Sequence, residues 1–191
     1  MKTKIIKKDS FKTSLWSGGT TTELYIYPEN SNYKNKDFLF RLSSATVELE
    51  QSTFTPLEGI QRHIAPINDS LKLFHQDKTV ELDPYECYVF DGGIETTSKG
   101  KVTDFNLMLS KEISGTLKSF FLEKTVKIES LKENCFLIYS PEISLSIVGK
   151  EKYHLSSGDL GIFSEALDLT ISNDVTGYFF LAKIQLPKSG L

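Results

Sequence analysis

Apolar and polar residues alternate along much of this chain, as they do in β-strands with one buried face. No long stretch has apolar residues at the i, i+3, i+4 and i+7 spacing of an amphipathic helix. The alternation is longest in Phe38–Leu49 and Val102–Leu109. Because turn-forming residues separate many short strands, the pattern predicts an all-β sandwich or barrel. The shorter predicted strands are Glu23–Tyr27, Leu71–Phe74, Thr79–Leu82, Cys87–Phe90, Phe136–Tyr139, Ser144–Val148, Leu160–Phe163, Leu167–Ile171 and Tyr178–Gln185.

Two segments of the chain resemble each other. Leu71–Phe90 and Leu145–Phe163 each contain a short strand, a polar turn, a strand ending in leucine, an acidic turn and an apolar strand ending in phenylalanine. This rhythm resembles the cupin jelly roll, and two copies predict a bicupin, with two jelly-roll β-barrel lobes in one compact chain. We expect a first lobe over residues 1–112 and a second over 113–191, joined near Ile113–Lys127, with terminal strands able to swap between the lobes.

Composition narrows the class of protein. With 39% hydrophobic and 25% charged residues, the 191-residue chain has a globular composition. A net charge of −3 argues against a nucleic-acid-binding protein, and the longest apolar runs, such as Tyr178–Ala182, are too short to cross a bilayer. The basic start Met1–Lys8 has no apolar stretch behind it, so we expect no secretory signal and a cytoplasmic location. Cys87 and Cys135 are accordingly expected to be reduced core thiols.

Arginine is scarce in this chain. Only two of the 22 basic residues are arginines, Arg41 and Arg62. Lysine serves well on a surface, but only arginine offers a planar fork of five donors. In a lysine-rich chain, each arginine is therefore a candidate for holding a carboxylate or phosphate, or for joining a buried polar network.

The metal site found in many cupins is not expected here. Such a site needs two histidines at positions i and i+2 of one strand, a nearby carboxylate and a further histidine. His63, His75 and His154 are far apart in sequence, and the last two fall in predicted hairpins, so we expect solvated turn histidines and neither metal nor other cofactor. No Gly-x-Ser-x-Gly elbow is present, and Gly18–Gly19 is not followed by the Lys-Ser/Thr of a phosphate-binding loop.

Four polar clusters remain as candidate sites, and the first is Trp16–Glu23. Gly18 and Gly19 allow backbone amides to approach a ligand closely, and three threonines, Thr22 among them, supply hydroxyls. A flexible loop would have the same glycines and threonines, but this one also contains the only tryptophan of the chain.

The second and third clusters contain the two arginines. On the strand Phe38–Leu49, Arg41 and Ser43 share a face with three apolar residues, and if that face lines a barrel, the strand runs from a polar mouth to an apolar floor. The third cluster, Phe54–Arg62, is a turn around Pro56 and Gly59 that delivers Arg62.

The fourth cluster consists of Asp104 and Asn106, which share a face of the strand Val102–Leu109. A buried carboxylate needs a partner, because an unpaired buried charge costs several kcal/mol. Arg41 and Arg62 are the only arginines available to it. These residues form either a ligand pocket or a structural ion-pair network, and residue chemistry alone favours neither.

Five motifs, in this order along the chain, resemble the HutD/Ves family. They are W-S-G-G-T-T-T-E at 16–23, F-L-F-R-L-S-S-A at 38–45, F-T-P-L-E-G-I-Q-R at 54–62, F-D-G-G at 90–93 and D-F-N-L-M at 104–108. The resemblance implies a metal-free bicupin of the cytosol, associated in some bacteria with histidine utilisation and with no established reaction. It also implies a role in sensing or buffering a small pathway acid, such as urocanate or a formylated glutamate.

The leading hypothesis is a protein that binds a small carboxylate metabolite in its first lobe and has an accessory or regulatory role. The arginines would bind the carboxylate, while serine and threonine hydroxyls and glycine amides would add hydrogen bonds. The tryptophan would cover one side, and the acidic residues and the asparagine would orient the arginines or recognise an amine or amide. The expected ligand-binding residues are Trp16, Gly18, Gly19, Thr22, Glu23, Arg41, Ser43, Arg62, Asp104 and Asn106.

Two alternatives stay open. A metal-independent isomerase or lyase acting on a small carboxylic acid would use Glu23 or Asp104 as general base, with the arginines stabilising an enolate-like charge. A protein-interaction module would show exposed aromatic residues at Tyr178–Phe180. No nucleic-acid or membrane partner is expected, and the chain is a candidate homodimer.

Overall fold

Antiparallel strands organise nearly all of the computed structural model, which describes residues 3–129, 134–163 and 168–187. Within those ranges the one helical element is a 3₁₀ turn, Lys8–Ser10. The strands are β1 (Lys4–Ile6), β2 (Lys12–Trp16), β3 (Gly19–Tyr27), β4 (Phe40–Val47), β5 (Gln51–Thr53), β6 (Ile60–Pro66), β7 (Leu71–His75), β8 (Lys78–Leu82), β9 (Tyr88–Asp91), β10 (Thr96–Lys99), β11 (Thr103–Ser110), β12 (Ser114–Leu122), β13 (Thr125–Ile128), β14 (Asn134–Tyr139), β15 (Leu145–Val148), β16 (Lys152–Leu155), β17 (Leu160–Phe163), β18 (Leu169–Ser172) and β19 (Gly177–Gln185).

The chain divides into two compact units. The central unit is Phe11–Glu112, and the flanking unit is made of the residues up to Ser10 together with those from Ile113 onward. In the central unit, one sheet has the strand order β2-β3-β4-β11-β6-β9 and the other has the order β5-β10-β7-β8. In the flanking unit, the orders are β1-β17-β14-β19-β12 and β13-β18-β15-β16.

The two units repeat one topology. The order β4-β11-β6-β9 corresponds strand by strand to β12-β19-β14-β17, and β5-β10-β7-β8 corresponds to β13-β18-β15-β16. Eight consecutive strands therefore build the same pair of antiparallel sheets twice, as in a double jelly roll. The internal similarity of Leu71–Phe90 and Leu145–Phe163 corresponds to the strand triplets β7–β9 and β15–β17.

Each unit has its own apolar core. In the flanking unit, Phe136, Phe163 and Phe179 are fully buried among aliphatic side chains. In the central unit, Leu71 and Leu73 belong to a buried cluster that includes Phe90 at its margin. Burial of each such side chain contributes about 1.5–3 kcal/mol, so these clusters hold the two sheets of each unit together.

The boundary between the units falls at Glu112 and Ile113, at the start of the segment Ile113–Lys127 where the join was expected. This segment is occupied by β12 and most of β13, and β12 pairs with β19 over nine residue pairs. Only Leu117 and Leu122 of β12 are buried, so its hydrophobic pattern is weak. Residue Leu167, where one predicted strand begins, lies outside the described residues.

Two further sequence expectations concern thiols and membranes. Cys135 is buried, and this burial raises the pKa of its thiol to about 12, whereas Cys87 is half-buried. Neither of these cysteines, both within the described ranges, forms a disulfide. Across the described ranges, no helix has the length and apolar character needed to cross a bilayer.

Candidate functional site

Strand register brings the two arginines to the same level of the central unit. Strand β11 lies between β4 and β6, and Met108 of β11 is directly opposite both Arg41 of β4 and Arg62 of β6. Directly opposed residues of antiparallel strands project from the same face of a sheet. Neighbouring strands lie about 4.8 Å apart, so two strand spacings, roughly 10 Å, separate the backbones of the two arginines.

The same face carries the other polar residues of the predicted site. Further along the β4–β11 ladder, Ser43 lies opposite Asn106, and beyond that pair Ala45 lies opposite Asp104. Because side chains alternate along a strand, residues 104, 106 and 108 share one face, as do residues 41, 43 and 45. The sheet therefore gathers the polar residues of three strands on one surface.

This surface lines a cavity of about 270 Å³. Polar groups and apolar walls alternate around it, as is common in small-molecule sites. The lining residues are Ser14, Trp16, Thr21, Tyr33, Arg41, Ser43, Ala45, Val47, Thr53, Phe54, Thr55, Arg62, Asp104, Asn106 and Met108.

Arg41 is buried and already has an anionic partner. Its Nε donates to Glu23 Oε2 at 2.7 Å, and a terminal nitrogen donates to Ser43 Oγ at 3.1 Å. A register shift between Glu23 and Tyr25 places Glu23 opposite Ser43, within reach of the guanidinium. The guanidinium carbon also lies 4.5 Å from the centroid of the Tyr33 ring, which adds a cation–π contact.

Arg62 is equally buried, but within the described residues it forms no ion pair. Its guanidinium carbon lies 4.5 Å from the ring centroid of Phe54 and 5.5 Å from that of Phe90. Its Nε is buried without a hydrogen-bond partner. Burial lowers the pKa of this guanidinium, which is the sign of a charge held away from water and incompletely compensated.

Asp104 and Asn106 form a pair on β11. Asn106 Nδ2 donates a short hydrogen bond to Asp104 Oδ1, and Asn106 Oδ1 is buried with no donor. Burial raises the pKa of the Asp104 carboxyl to about 7, although the charge of Arg62 and hydrogen bonds from Asn106 and the Ala45 backbone act in the opposite direction. Within the described residues Asp104 forms no ion pair with an arginine, which was one of the two alternatives, and Asn106 and the Ala45 backbone bond its carboxyl instead.

Trp16 lines the cavity from the β2–β3 turn, and the two glycines beside it have structural tasks. A Cβ at Gly18 would overlap the Trp16 ring, so the ring lies flat against the glycine backbone. Gly19 has a φ of 147°, and a Cβ there would overlap the carbonyl oxygen of Thr46. Residue 19 therefore requires glycine, whereas a side chain at residue 18 would displace the Trp16 ring.

Six predicted site residues line the cavity and four do not. Trp16, Arg41, Ser43, Arg62, Asp104 and Asn106 lie in its wall. Glu23 reaches it only through Arg41, and Thr22 turns to the opposite face of β3 from Thr21, where its hydroxyl bonds Thr13. Gly18 lies against the Trp16 ring, and Gly19 lies against the backbone of Thr46.

Sequence reasoning missed Tyr33 and did not single out Phe54 from its motif. Tyr33 lies among turn-forming residues in the segment between β3 and β4. Nothing in the local sequence pattern indicates that its ring covers Arg41. Phe54 precedes the Pro56 turn, and an aromatic residue beside an arginine-bearing turn was the available signal for its contact with Arg62.

His154 is exposed, as expected of a solvated histidine, whereas His75 was expected to be solvated and is buried. His63 and His75 are buried, and burial lowers the pKa of His63 to about 4. The Thr96 hydroxyl lies 3.0 Å from the Ile94 carbonyl, to which it donates, so His75 Nδ1 is the donor to Thr96 Oγ1 at 2.9 Å. No cluster of three or more His, Cys, Asp or Glu residues suited to a metal ion is found in the described ranges.

Comparison with known proteins shows the family to which the chain belongs. The HutD family model matches residues 8–179 of the chain. The chain belongs to the HutD family. No curated protein matches the sequence.

Two solved structures, one of HutD and one of a protein of unknown function, share the fold. HutD from Pseudomonas fluorescens SBW25 is 20% identical, with a TM-score of 0.76 over 96% of this chain and 98% of that one. A conserved protein of unknown function from Pseudomonas aeruginosa PAO1, PA5104, is 17% identical, with a TM-score of 0.87 over 97% of this chain and 100% of that one.

More distant structures confirm the bicupin architecture. A point mutant of Bacillus subtilis oxalate decarboxylase matches at a TM-score of 0.69 and 8% identity, over 97% of this chain and 77% of that one. Ylba from E. coli matches at 0.70 and 9% identity, over 96% and 90%. The predicted all-β, cupin-like fold of this HutD-family chain is therefore confirmed, with each unit built as a two-sheet sandwich.

Proposed function

We propose that this HutD-family protein binds a small carboxylate in the cavity of its central unit and has an accessory or regulatory role in histidine utilisation. Family membership relates the chain to histidine utilisation. The observation that carries the proposal is Arg62, a buried guanidinium in the cavity wall that has an unpartnered Nε and no ion pair within the described residues.

Charge in the cavity supports an anionic ligand. The Glu23 carboxylate neutralises Arg41, so the pair adds no net charge, whereas Arg62 has through-space attractions to Tyr33 and Asp104 but no ion pair within the described residues. A buried, incompletely compensated cation is costly, and an anion that hydrogen-bonds it recovers that cost on binding. A carboxylate suits the planar fork of arginine because it can accept two parallel hydrogen bonds.

The rest of the cavity suits a small, partly apolar ligand. Tyr33 and Phe54 already lie against the two guanidinium groups, and Trp16, Val47 and Met108 provide further apolar wall. A volume of about 270 Å³ is at the small end for metabolite sites. One carboxylate attached to a small flat or aliphatic group fits this combination.

Replacement of Arg62 by lysine tests the proposal. One ammonium cannot reproduce the guanidinium fork, and losing one partner of a buried charge pair costs about 2–5 kcal/mol of affinity, which is a loss of at least about thirtyfold. In a thermal-shift screen of small carboxylates, monocarboxylates such as urocanate should stabilise the wild-type protein and fail to stabilise Arg62→Lys, with formylated glutamate, a dicarboxylate, as the comparison. Arg41→Lys should also weaken binding, because the wild-type Arg41 guanidinium is held in the cavity wall by contacts to Glu23 and Ser43 that lysine cannot reproduce.

The matched control replaces an exposed cation. Lys101 of the central unit pairs with Glu50 on the surface, so Lys101→Gln should leave every ligand-induced shift unchanged. If carboxylates stabilise Arg41→Lys and Arg62→Lys as much as the wild type, the assignment of the cavity is wrong.

One observation favours a second function, a metal-independent isomerase or lyase. A carboxyl whose pKa is about 7 is well matched to general-base chemistry at neutral pH, and Asp104 has such a pKa inside the cavity. Incubation of candidate acids with the protein in deuterated water separates the two functions by NMR. Deuterium incorporation or turnover supports the enzyme, and saturable binding without change supports the binding protein.

The exposed aromatic surface expected of an interaction module is not found at Tyr178–Phe180. Phe179 and Phe180 are fully buried, and Tyr178 is half-buried. These aromatics belong to the core of the flanking unit, so Tyr178–Phe180 does not offer an exposed aromatic surface.

A further inference from the structure

Within the described residues, only one of the two polar atoms of the Asn106 amide has a hydrogen-bond partner. Its nitrogen donates to Asp104, while its oxygen is buried without a donor. A buried acceptor left without a partner is destabilising. The orphaned atom also belongs to a residue in the wall where Arg62 would hold an anion, and a bare amide oxygen repels an anion.

A proton on Asp104 would give the Asn106 amide oxygen a donor and would allow the amide nitrogen to face the anion. A neutral carboxyl has an O–H that donates, and the amide, turned by 180° about its terminal bond, would offer its oxygen to that O–H. The amide nitrogen would then take the place of the orphaned oxygen. From there it can donate to a bound carboxylate.

The charge balance of the cavity favours this protonated arrangement when an anion is present. Arg41 and Glu23 form a neutral pair, so Arg62 and Asp104 are the groups whose charges remain. Tyr33 supplies a phenol, and the lining residues from the neighbouring strands β2, β3 and β5 have uncharged side chains: Ser14, Trp16, Thr21 and Thr53. An anion on Arg62 adds negative charge near Asp104 and therefore shifts Asp104 toward its neutral form.

The pKa of Asp104 allows this change of its protonation state near neutral pH. Burial raises its pKa to about 7, against the opposing effects of Arg62 and the two hydrogen bonds to the carboxylate. A nearby anion raises that pKa further. At pH 8, where the carboxyl is mostly ionised in the unliganded protein, binding of the anion can therefore be accompanied by uptake of a proton.

We propose that the cavity binds a monocarboxylate together with one proton. The anion lies on Arg62, the Asp104 carboxyl becomes neutral and donates to Asn106 Oδ1, and Asn106 Nδ2 donates to the anion. This inference rests on the proposed function, because it requires an anion in the cavity. Monoanions are the preferred ligand class, since a dianion would leave a second negative charge without a cation in the same cavity.

Calorimetric titration with benzoate tests the proposal, because benzoate has one carboxylate, an apolar ring and no group that titrates between pH 6 and pH 8.5. The dissociation constant should be nearly constant below pH 6.5 and rise by up to about tenfold per pH unit above pH 7. At pH 8, the heats measured in HEPES and in Tris should differ by an amount equivalent to the uptake of close to one proton per site.

The variant Asp104→Asn reproduces the neutral carboxyl, because its amide can donate to Asn106. It should bind benzoate at pH 8.5 as tightly as the wild type does at pH 6, with no proton uptake. The matched control is Asp69→Asn, which changes an exposed aspartate that also accepts from a neighbouring asparagine amide, that of Asn68. This control should keep the wild-type pH profile.

The outcomes separate the two claims. If benzoate binds to the wild type without proton uptake and with a flat profile from pH 6 to pH 8.5, the proton-linked site is refuted while carboxylate binding stands. A profile that Asp104→Asn leaves unchanged also refutes it. No benzoate binding at any pH contradicts the proposed function itself.

Discussion

Asp104 illustrates what a single buried carboxyl does to this protein. The side chain is 2% exposed, and burial raises its pKa to about 7, far above the value of about 3.9 expected in an unfolded chain. The folded state therefore binds one more proton than the unfolded state between about pH 4 and pH 7. Stability from this group is greatest at the acid end of that window and is lost as pH rises toward 7.

This linkage predicts that Asp104→Asn increases the free energy of unfolding by an amount that depends on pH. Relative to the wild type, the variant should gain stability as pH rises from 4 to 8, by up to about 4 kcal/mol across the window, because the cost of ionising the buried carboxyl is removed. Denaturant unfolding at several pH values measures the difference directly.

The variant and the wild type must be compared at the same pH, because the pKa shift of His63 changes the free energy of unfolding with pH in the opposite direction. Burial lowers the pKa of His63 to about 4, so its contribution is lost as pH falls from 6.5 toward 4. Both proteins retain His63, and the difference between them isolates Asp104. A difference that stays constant from pH 4 to pH 8 would show that Asp104 has an ordinary pKa.

At this scale, residue chemistry predicted the candidate arginines but not their partners. The scarcity of arginine in a lysine-rich chain singled out Arg41 and Arg62, and both lie in one cavity wall. That Glu23 pairs with Arg41, and that Asn106 and not an arginine bonds Asp104, depends on strand register and on the irregularity between Glu23 and Tyr25. Such details of register are not visible in composition or spacing.

Among the elements, the β2–β3 hairpin is the one that brings an aromatic side chain to the cavity from a sheet edge. Every residue of β2 is exposed, and β2 pairs only with β3 in the six-stranded sheet. Trp16 is held at the end of this strand by its contact with the backbone of Gly18. The position of the indole therefore depends on the absence of a side chain at residue 18.

Replacing Gly18 by alanine should displace Trp16. The new Cβ would overlap the indole ring, which is the mobile end of a side chain and can move away at modest cost. Because Trp16 is the only tryptophan, the change is read directly from the emission spectrum, and carboxylate binding should weaken as one wall of the cavity opens.

Gly93→Ala is the matched control for this hairpin. Gly93 lies in the same unit, and the nearest atom to its added Cβ is a carboxylate oxygen of Asp91 at 3.2 Å, so the tryptophan spectrum should stay as in the wild type. An unchanged spectrum in Gly18→Ala would mean that the indole does not pack on this glycine.

Two of the strands that the sequence did not predict, β6 and β2, share a physical cause. In β6 six of the seven residues are buried, so the strand lacks the alternation of a half-buried strand, and its sequence includes an arginine, a histidine and a proline. In β2 every residue is exposed, which also removes the alternation. The longer alternating segments were predicted well because β4 and β11 combine periodic polar residues with apolar neighbours.

On the scale of the whole molecule, one topology occurs twice but the polar chemistry is concentrated in one copy. Strands β14 and β19 of the flanking unit occupy the topological places of β6 and β11, and residues of these strands such as Phe136, Ile138 and Phe179 fill an apolar core. In the central unit the corresponding strands provide Arg62, Asp104 and Asn106 to a cavity. The repeat thus supplies the fold, and substitutions within one copy supply the candidate site.

The first residues of the chain belong structurally with its second half. Strand β1 pairs with β17, and Asp159 accepts hydrogen bonds from the Lys7 ammonium at 2.7 Å and the Lys8 backbone at 3.0 Å. Burial would raise the pKa of Asp159, but these bonds outweigh it and lower the pKa. A linear reading of the sequence assigned residues 1–10 to the first lobe, because long-range pairing of this kind leaves no local signal.

The central claim is that the guanidinium group of Arg62 holds a carboxylate in the cavity of the central unit, and a crystal structure of the protein with benzoate tests it most directly. The account predicts a carboxylate inside the cavity, with an oxygen about 2.8–3.0 Å from a nitrogen of Arg62 and the aromatic ring against the apolar wall. A benzoate bound outside this cavity at saturating concentration, or one whose carboxylate faces away from Arg62, would contradict the account.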